Sequence, residues 1–509
     1  MLRNLLTVSS GTLASRLLGF VRDAMMAALL GAGPIADAFL VAFQMVNVVR
    51  RLLTEGALNA ALVPAWLRVN AEQGAVAAAA FAGRVLGTIS LAVAAAAGLI
   101  GFAMPLVMAL LAPGFVGGFT LGLAVQDARL MLPYLAFAGP VTVMMALLNA
   151  QHRFALTAFS PLLFNLALIG VMAALLLRPI DASRATVTIA AAVGIAGLLQ
   201  LATLVLSGRA GSVATPLRLS VDAPMRALLR RALSGMAASS GPQLLIVAGA
   251  IVASRSPAAV SWLYFANRLI ELPLGIVGSA LGTVLVPEMT RALRADDGTA
   301  LVHAQSRGFE LGVGLALPAT LGLIVLAQPI VRLLYEHGAF APDDTAATAQ
   351  ALMALALGLP AHVLTKALAP AFFAREDTMT PLIATLCGLG VAVVAAMMSP
   401  SATGIAGAIA GGAWASAVVL VVGAVTTFGV ALDAAAARHL PRVVLAAMVM
   451  GALLWLTTRH VWPLASEARA LTQALVLGGL IAGGLAVYGA MLALTGVLDL
   501  TAIRRRLRR

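Results

Sequence analysis

The sequence predicts an all-α polytopic membrane protein: about 14 transmembrane helices, arranged as two six-helix lobes related by a parallel repeat, followed by two C-terminal helices. Three observations predict it. Of the 509 residues, 61% are hydrophobic and only 10% are charged, against about 25% charged in a soluble domain. Separate apolar runs, among them 85–108, 162–177, 189–206, 311–327, 381–398, 443–456 and 470–494, approach or exceed the roughly 20 residues that cross a hydrocarbon core. The chain also repeats itself at a near-constant offset.

Backbone groups in lipid must be paired internally, so the runs are helices or barrel strands. Barrel strands alternate polar and apolar residues. These runs are apolar throughout, so helices are expected. In order, the expected spans are 5–30, 35–64, 85–111, 128–150, 157–177, 187–206, 232–253, 259–287, 308–334, 346–372, 379–398, 403–431, 440–458 and 470–495. Basic residues orient them. With the N-terminus inside, twenty Lys and Arg fall on the cytoplasmic side, while Arg178, Arg184, Arg255, Arg332, Arg459 and Arg469 fall on the other. That asymmetry places both termini in the cytoplasm. The tail RRRLRR reads as an anchor at anionic headgroups. The net charge of +13 punctuates helix ends instead of forming one basic stripe, which argues against nucleic acid. Arg16, Arg22 and Asp23 interrupt the first apolar stretch, so no cleavable leader is expected.

The repeat comes next. ALNAALVPAWLR at 57–68 aligns with ALGTVLVPEMTR at 280–291, so Ala57, Leu58, Leu62, Val63, Pro64 and Arg68 recur 223 residues later. Pro105, Leu110 and Gly114 recur as Pro329, Leu334 and Gly338 at an offset of 224, and Pro140 and Pro161 as Pro360 and Pro381 at 220. Six helices per copy preserve orientation. This is the parallel-repeat transporter plan, with a site between lobes and alternating access. The expected domains are 1–210 (helices 1–6), 211–432 (helices 7–12) and 433–509 (helices 13–14 and the basic tail).

Several charges sit where lipid is expected. Arg16, Arg22 and Asp23 lie in the first span; Asp37, Arg50, Arg51 and Glu55 lie in or beside the second; Arg268 and Glu271 lie early in the eighth. A charge at mid-bilayer costs at least ~2.5–3.5 kcal/mol, so such groups face a wet cavity or each other. Arg16 and Arg22 are about 120° apart around a helix, whereas 16, 19, 20 and 23 share a face. Arg16 and Asp23 are therefore expected to line one cavity, with Arg22 at its margin. Guanidinium groups bind phosphate oxygens bidentately and stay protonated, so an Arg-rich chamber points to a phosphate or diphosphate headgroup. The plainer alternative is internal pairing, Arg22 with Asp23 or Arg51 with Glu55. A drug or cation antiporter would instead want an acidic cavity.

Catalysis finds no support, since no HExxH, Walker A or GxSxG is present, and no metal or cofactor is expected. His362 and Lys366, four apart on one face, form a second polar spot. Cys387, the one cysteine, reads as a small buried hydrophobe.

Residues 10–64, SGTLASRLLGFVRDAMMAALLGAGPIADAFLVAFQMVNVVRRLLTEGALNAALVP, closely resemble the opening of the MurJ (MviN) lipid II flippases, of the multidrug/oligosaccharidyl-lipid/polysaccharide exporter superfamily. ANRLIELPLGIVGSALGTVLVPEM at 266–289 resembles that family's eighth helix, and FAREDTMTP at 373–381 its turn before the eleventh. The resemblance implies a V-shaped pair of lobes and a groove on helices 13–14 for a polyprenyl tail. It implies a flippase that moves the undecaprenyl-diphosphate-linked disaccharide pentapeptide, lipid II, from the cytoplasmic to the periplasmic leaflet of the bacterial inner membrane for peptidoglycan synthesis. Membrane lipids and cell-wall synthesis machinery are its further expected partners. The family's cavity arginines fall on Arg16, Arg22 and Arg268. Its gating or orienting residues fall on Ser15, Asp23, Asp37, Asn47, Arg50, Arg51 and Glu55. The chain departs from the family at Gln44, where relatives often carry a basic residue, at Asn267, where Asp is frequent, and in having no acid in the seventh or eleventh span. A flippase for another undecaprenyl-diphosphate-linked glycan is the alternative, and a non-transporting scaffold for cell-wall synthases a further one.

Overall fold

The computed structural model describes residues 2–54, 57–151, 153–177, 180–207, 218–220, 222–239, 241–294, 298–373, 375, 377–428 and 433–498. Among the described residues all regular structure is helical, as the sequence predicts. The helices are α1 (Leu2–Leu30), α2 (Pro34–Thr54), α3 (Ala57–Phe102), α4 (Met104–Leu111), α5 (Phe119–Ala150), α6 (Phe154–Leu176), α7 (Ala182–Ser207), α8 (Ala223–Ser239), α9 (Gly241–Ala253), α10 (Ala259–Arg294), α11 (Gly298–Val325), α12 (Ala327–Tyr335), α13 (Pro342–Ala356), α14 (Leu359–Phe373), α15 (Met379–Met398), α16 (Ala402–Phe428), α17 (Ala434–Ala465) and α18 (Ala470–Leu494). A 3-10 turn, Pro113–Phe115, follows α4. Among the described residues, ten helical stretches are long and apolar enough to cross a membrane.

The helix boundaries correct several expected spans. Over the stretch expected as one span at 35–64, the described residues are helical in α2 and again from Ala57, where α3 begins. α3 then runs for 46 residues and is kinked at Gly74, whose φ is +81°. Ala-rich segments favour helix whether or not they enter lipid, so hydropathy finds the apolar half of α3 and misses the rest. The expected spans 308–334 and 346–372 are each broken, into α11 and α12 before Pro329 and into α13 and α14 before Pro360, because proline withholds the N–H that would continue the ladder. The matching break before Pro105 separates α3 from α4.

The chain divides into two compact units, Met1–Ser261 with His337–Ala341, and Trp262–Glu336 with Pro342–Arg509. In the first unit α5 is central. It packs against α2, α3 and α7, and it buries Ala124, Asp127, Ala128, Met131, Leu135 and Ala138 at helical spacing. Gly194 of α7 comes so close that a Cβ there would lie 2.6 Å from the Leu130 carbonyl oxygen. Small residues supply this contact because lipid removes the hydrophobic drive between helices. Met225, Leu228 and Ala232 of α8 join Phe81, Val85 and Ile89 of α3 in the same core. Residue Ser220 is tied to Thr88, the two exchanging backbone and hydroxyl hydrogen bonds of 3.1 and 3.2 Å.

In the second unit Val277, Leu281, Leu285 and Met289 of α10 pack on Val363, Ala367 and Ala371 of α14. α17 and α18 join this unit through α11, with Met450 and Tyr488 against Leu317 and Leu321. The Tyr488 hydroxyl donates to the Gly314 carbonyl at 2.7 Å.

Both units carry exposed rows of large apolar side chains, such as Leu91, Leu99, Phe102 and Leu106 on one and Leu386, Val394 and Met398 on the other. A helix surface of this kind is covered by lipid. Cys387, expected to be buried, is exposed on that surface of α15. An apolar run in a membrane helix faces lipid as readily as protein, so hydropathy does not report burial there.

Candidate functional site

α1 places Arg22 and Asp23 side by side in the interior of the first unit, 7% and 0% exposed. Neighbours in sequence do not ordinarily share a helix face. Here the long arginine stem folds back, and both Nε and Nη2 donate to Asp23 Oδ1, at 2.9 and 2.7 Å. Nη1 donates to Asn165 Oδ1 of α6 at 3.1 Å. The Asn165 amide in turn donates to the Ser15 carbonyl at 3.1 Å, so one side chain joins two points on α1. The guanidinium lies 5.1 Å from the Phe43 ring centroid and 5.9 Å from that of Phe164. Phe43 stacks on Phe39, and Phe164 meets Tyr134 at 5.1 Å. The pair is thus balanced in charge, held by an amide and enclosed by aromatic rings, which attract a guanidinium through their negative faces. This is the internal pairing that the sequence left open as an alternative, and it buries Asp23 instead of leaving it on a wet face.

Arg16 differs. It is half-buried, and among the described residues it has no hydrogen bond or ion pair. Asn47, Arg50 and Arg51 are half-buried on α2, and both arginines are engaged. Glu55 lies outside the described residues. In the second unit, Arg268 donates from Nη1 to Glu271 Oε2 at 2.8 Å across one turn of α10, with both side chains about one-fifth exposed.

Asp37, in the first turn of α2, is 1% exposed. Oδ2 accepts from Ala258 N–H, and Oδ1 from Ser261 N–H, both at 2.8 Å, and Oδ1 also accepts from the Ser261 hydroxyl. The carboxylate therefore caps the first turn of α10, whose N–H groups have no partner within the helix. Ala258 turns the chain into that helix at φ +64°. Asp37 and Ser261 stand 224 residues apart, so positions that correspond in the duplication touch each other. Two further long-range contacts are made by the turns that the repeat aligns, Gly338 with Gly114. Ala339 N–H donates to the Ala28 carbonyl at 2.8 Å, and a Cβ on Gly338 would overlap that carbonyl oxygen. Gly114 N–H donates to Ser254 Oγ at 3.1 Å, and a Cβ on Gly114 would overlap the Ser254 carbonyl oxygen. The two equivalent turns each close on a helix end, at α1 and at α9.

Comparison with known proteins places this arrangement. The family model described as "Lipid II flippase MurJ" matches residues 26–471. The chain belongs to the lipid II flippase MurJ family. It is similar to a probable lipid II flippase MurJ of Rhizobium meliloti (strain 1021), with 38% identity covering 99% of this chain and 95% of the relative. A second, of Rhizobium tropici, is 34% identical over 100% of this chain and 97% of its own length. Among solved structures, "Lipid II flippase MurJ, inward closed conformation" shares the fold at a TM-score of 0.77 with 22% identity, over 99% of this chain and 100% of that one. An inward-facing multidrug resistance MATE family transporter of the MOP superfamily follows at 0.67 with 16% identity, over 80% and 92%. The chain is accordingly a multi-pass membrane protein with the fold of MurJ.

Sequence reasoning found the charged members of the site and missed their supports. Asn165 had a signal, as the one amide side chain in α6. Phe43 and Phe164 had none, since an aromatic in a span looks like any other lipid-compatible side chain.

Proposed function

We propose that the protein is a lipid II flippase, carrying the undecaprenyl-diphosphate-linked disaccharide pentapeptide from the cytoplasmic to the periplasmic leaflet by alternating access. It is a transporter and not a catalyst. The observation that carries the reading, beside family membership, is Arg16: a half-buried guanidinium on a membrane helix without an internal partner among the described residues. A permanent cation placed there is matched by an anion that arrives, and two oxygens of a diphosphate fit its fork.

In this proposal Arg16, Arg22 and Arg268 hold the diphosphate. Arg16 meets it directly. Arg22 and Arg268 each exchange a carboxylate, Asp23 or Glu271, for phosphate oxygens, and the carboxylates reclaim them on release. Ser15 positions α1 through Asn165. Asp37, Asn47, Arg50, Arg51 and Glu55 serve opening and closing, Asp37 through its cap on 258–261. The duplicated lobes at 1–210 and 211–432, and residues 433–509 with the lipid-tail groove, belong to the same proposal. So do residence in the inner membrane with both termini cytoplasmic, and contact with the cell-wall synthesis machinery. The test is depletion of the protein in cells, followed by assay of which leaflet holds the lipid-linked precursor. Accumulation on the cytoplasmic side is expected; unchanged periplasmic exposure overturns the reading. Acceptance of other undecaprenyl-diphosphate glycans in a reconstituted assay would favour the broader substrate range.

A further inference from the structure

Asp127 is used by none of the above. It lies two turns into α5 and is wholly buried, on the face that carries Ala124, Ala128 and Met131. Neither carboxyl oxygen has a hydrogen-bond partner among the described residues. The polar group facing it is the Thr186 hydroxyl of α7, itself fully buried. That hydroxyl donates its one proton to the Ser183 carbonyl at 2.9 Å. That bond holds the Thr186 side chain in place beside the carboxylate.

Among the described residues, the elements packed on α5 offer Asp127 no countercharge. α4, α6, the 3-10 turn and the part of α3 beyond Arg84 carry no titratable side chain. On α2, Asp37 is committed to Ala258 and Ser261, and Arg50 and Arg51 lie at the helix's other end. On α5, Arg129 is exposed and donates to the Gly101 carbonyl at 3.3 Å, and Tyr134 is two turns away. On α7, Arg184 is exposed. A bare carboxylate in such a place is among the most costly groups a membrane protein can hold.

We propose that Asp127 and Thr186 form a binding site for one monovalent cation, a proton or an alkali ion such as sodium. A single negative charge is balanced by a single positive one. Among the described residues no group of three His, Cys, Asp or Glu gathers to hold a multivalent metal. A proton on Asp127 turns one acceptor into a donor toward the Thr186 oxygen. A sodium ion takes oxygens from both, as a hard cation does. Occupancy joins α5 to α7. Tyr134, seven residues along the same face of α5, abuts the Phe164 ring under Arg22. A role in powering transport rests on the flippase reading; the site itself does not.

The test uses the full chain in lipid nanodiscs. Tm is measured in sodium chloride and in N-methylglucamine chloride at equal ionic strength, at acid, neutral and alkaline pH, for wild type and Asp127→Asn. Wild type is expected to gain several degrees over the variant with sodium at fixed pH, which identifies an alkali site, or with acid alone, which identifies a proton site. In parallel, a hydrophobic carbodiimide is applied to wild type and Asp127 modification is read by mass spectrometry, which serves even if the variant does not fold. Labelling suppressed by sodium or by alkaline pH supports the site. Identical Tm profiles, or for an unfolded variant no labelling under any condition, overturn it. In reconstituted vesicles Asp127→Asn should lose the response of lipid II translocation to an imposed gradient of that cation. If wild type moves no lipid II while the cation effects persist, the flippase reading fails and the cation site stands.

Discussion

Arg22 shows how a single side chain can be read two ways until its neighbours are known. Its charge is buried with Asp23, and the rings of Phe43 and Phe164 lie beside it. Removing the guanidinium strips compensation from a fully buried carboxylate, so Arg22→Ala should destabilise the protein by about 3–5 kcal/mol. Arg22→Ala with Asp23→Asn should recover much of that loss, and denaturation of the purified variants in detergent measures both. Asp37 makes a second prediction. Asp37→Ala leaves the Ala258 and Ser261 N–H groups buried without their acceptor, at about 1–3 kcal/mol. Ala258→Gly should stabilise by about 1 kcal/mol, because glycine adopts a positive φ without the Cβ clash. Equal Tm values for Ala258→Gly and wild type would contradict the assigned strain. The sequence exposed these charges because lipid makes any charge conspicuous. It offered the pairing of Arg22 with Asp23 only as an alternative to a cavity, because side-chain folding within one turn leaves no trace in spacing that would decide between them.

Apolar runs announce helices at the next scale up but say little about where a helix leaves the bilayer. The expected fourth span began at residue 128 and the sixth at 187. α5 and α7 begin nine and five residues earlier, at Phe119 and Ala182. Asp127 and Thr186 each stood one position outside an expected span and passed as loop residues. The expected spans ran straight through Pro105, Pro329 and Pro360, before which the helices break, yet a proline inside α5 or α17 breaks nothing, since neighbouring helices and lipid-phase packing hold the flanks. α15 illustrates an element whose start can be tested. Asp377 accepts from the Met379 and Thr380 N–H groups and the Thr380 hydroxyl, and these donors hold its carboxyl below the usual carboxylate range, the Thr380 hydroxyl most. A depressed value means that the charged cap stabilises the fold above the ordinary carboxylate pKa and that this is lost as acid protonates it. Asp377→Ala should therefore cost about 1 kcal/mol near neutral pH, and the difference from wild type should shrink on acidification in a pH series of thermal melts.

For the whole molecule, the sequence reading rests on a duplication at an offset of 220–224 residues, carried by the match of 57–68 with 280–291 and by recurring prolines and a glycine. The transport prediction belongs here too. Arg16→Ala and Arg268→Ala are each expected to reduce lipid II translocation at least tenfold, read as leaflet accessibility of the precursor, and Arg16→Lys should fall short of full rescue because an ammonium lacks the planar fork. Full activity of both alanine variants would leave only a scaffolding role. The paired turns at Gly114 and Gly338 carry one more consequence. Each grips a carbonyl so closely that not even a methyl group can be admitted, and each descends from the same ancestral stretch. Drift at either turn must wait for a compensating retreat in the distant segment it touches, 140 positions away for Gly114. The two copies of an old gene fragment are thereby obliged to age together.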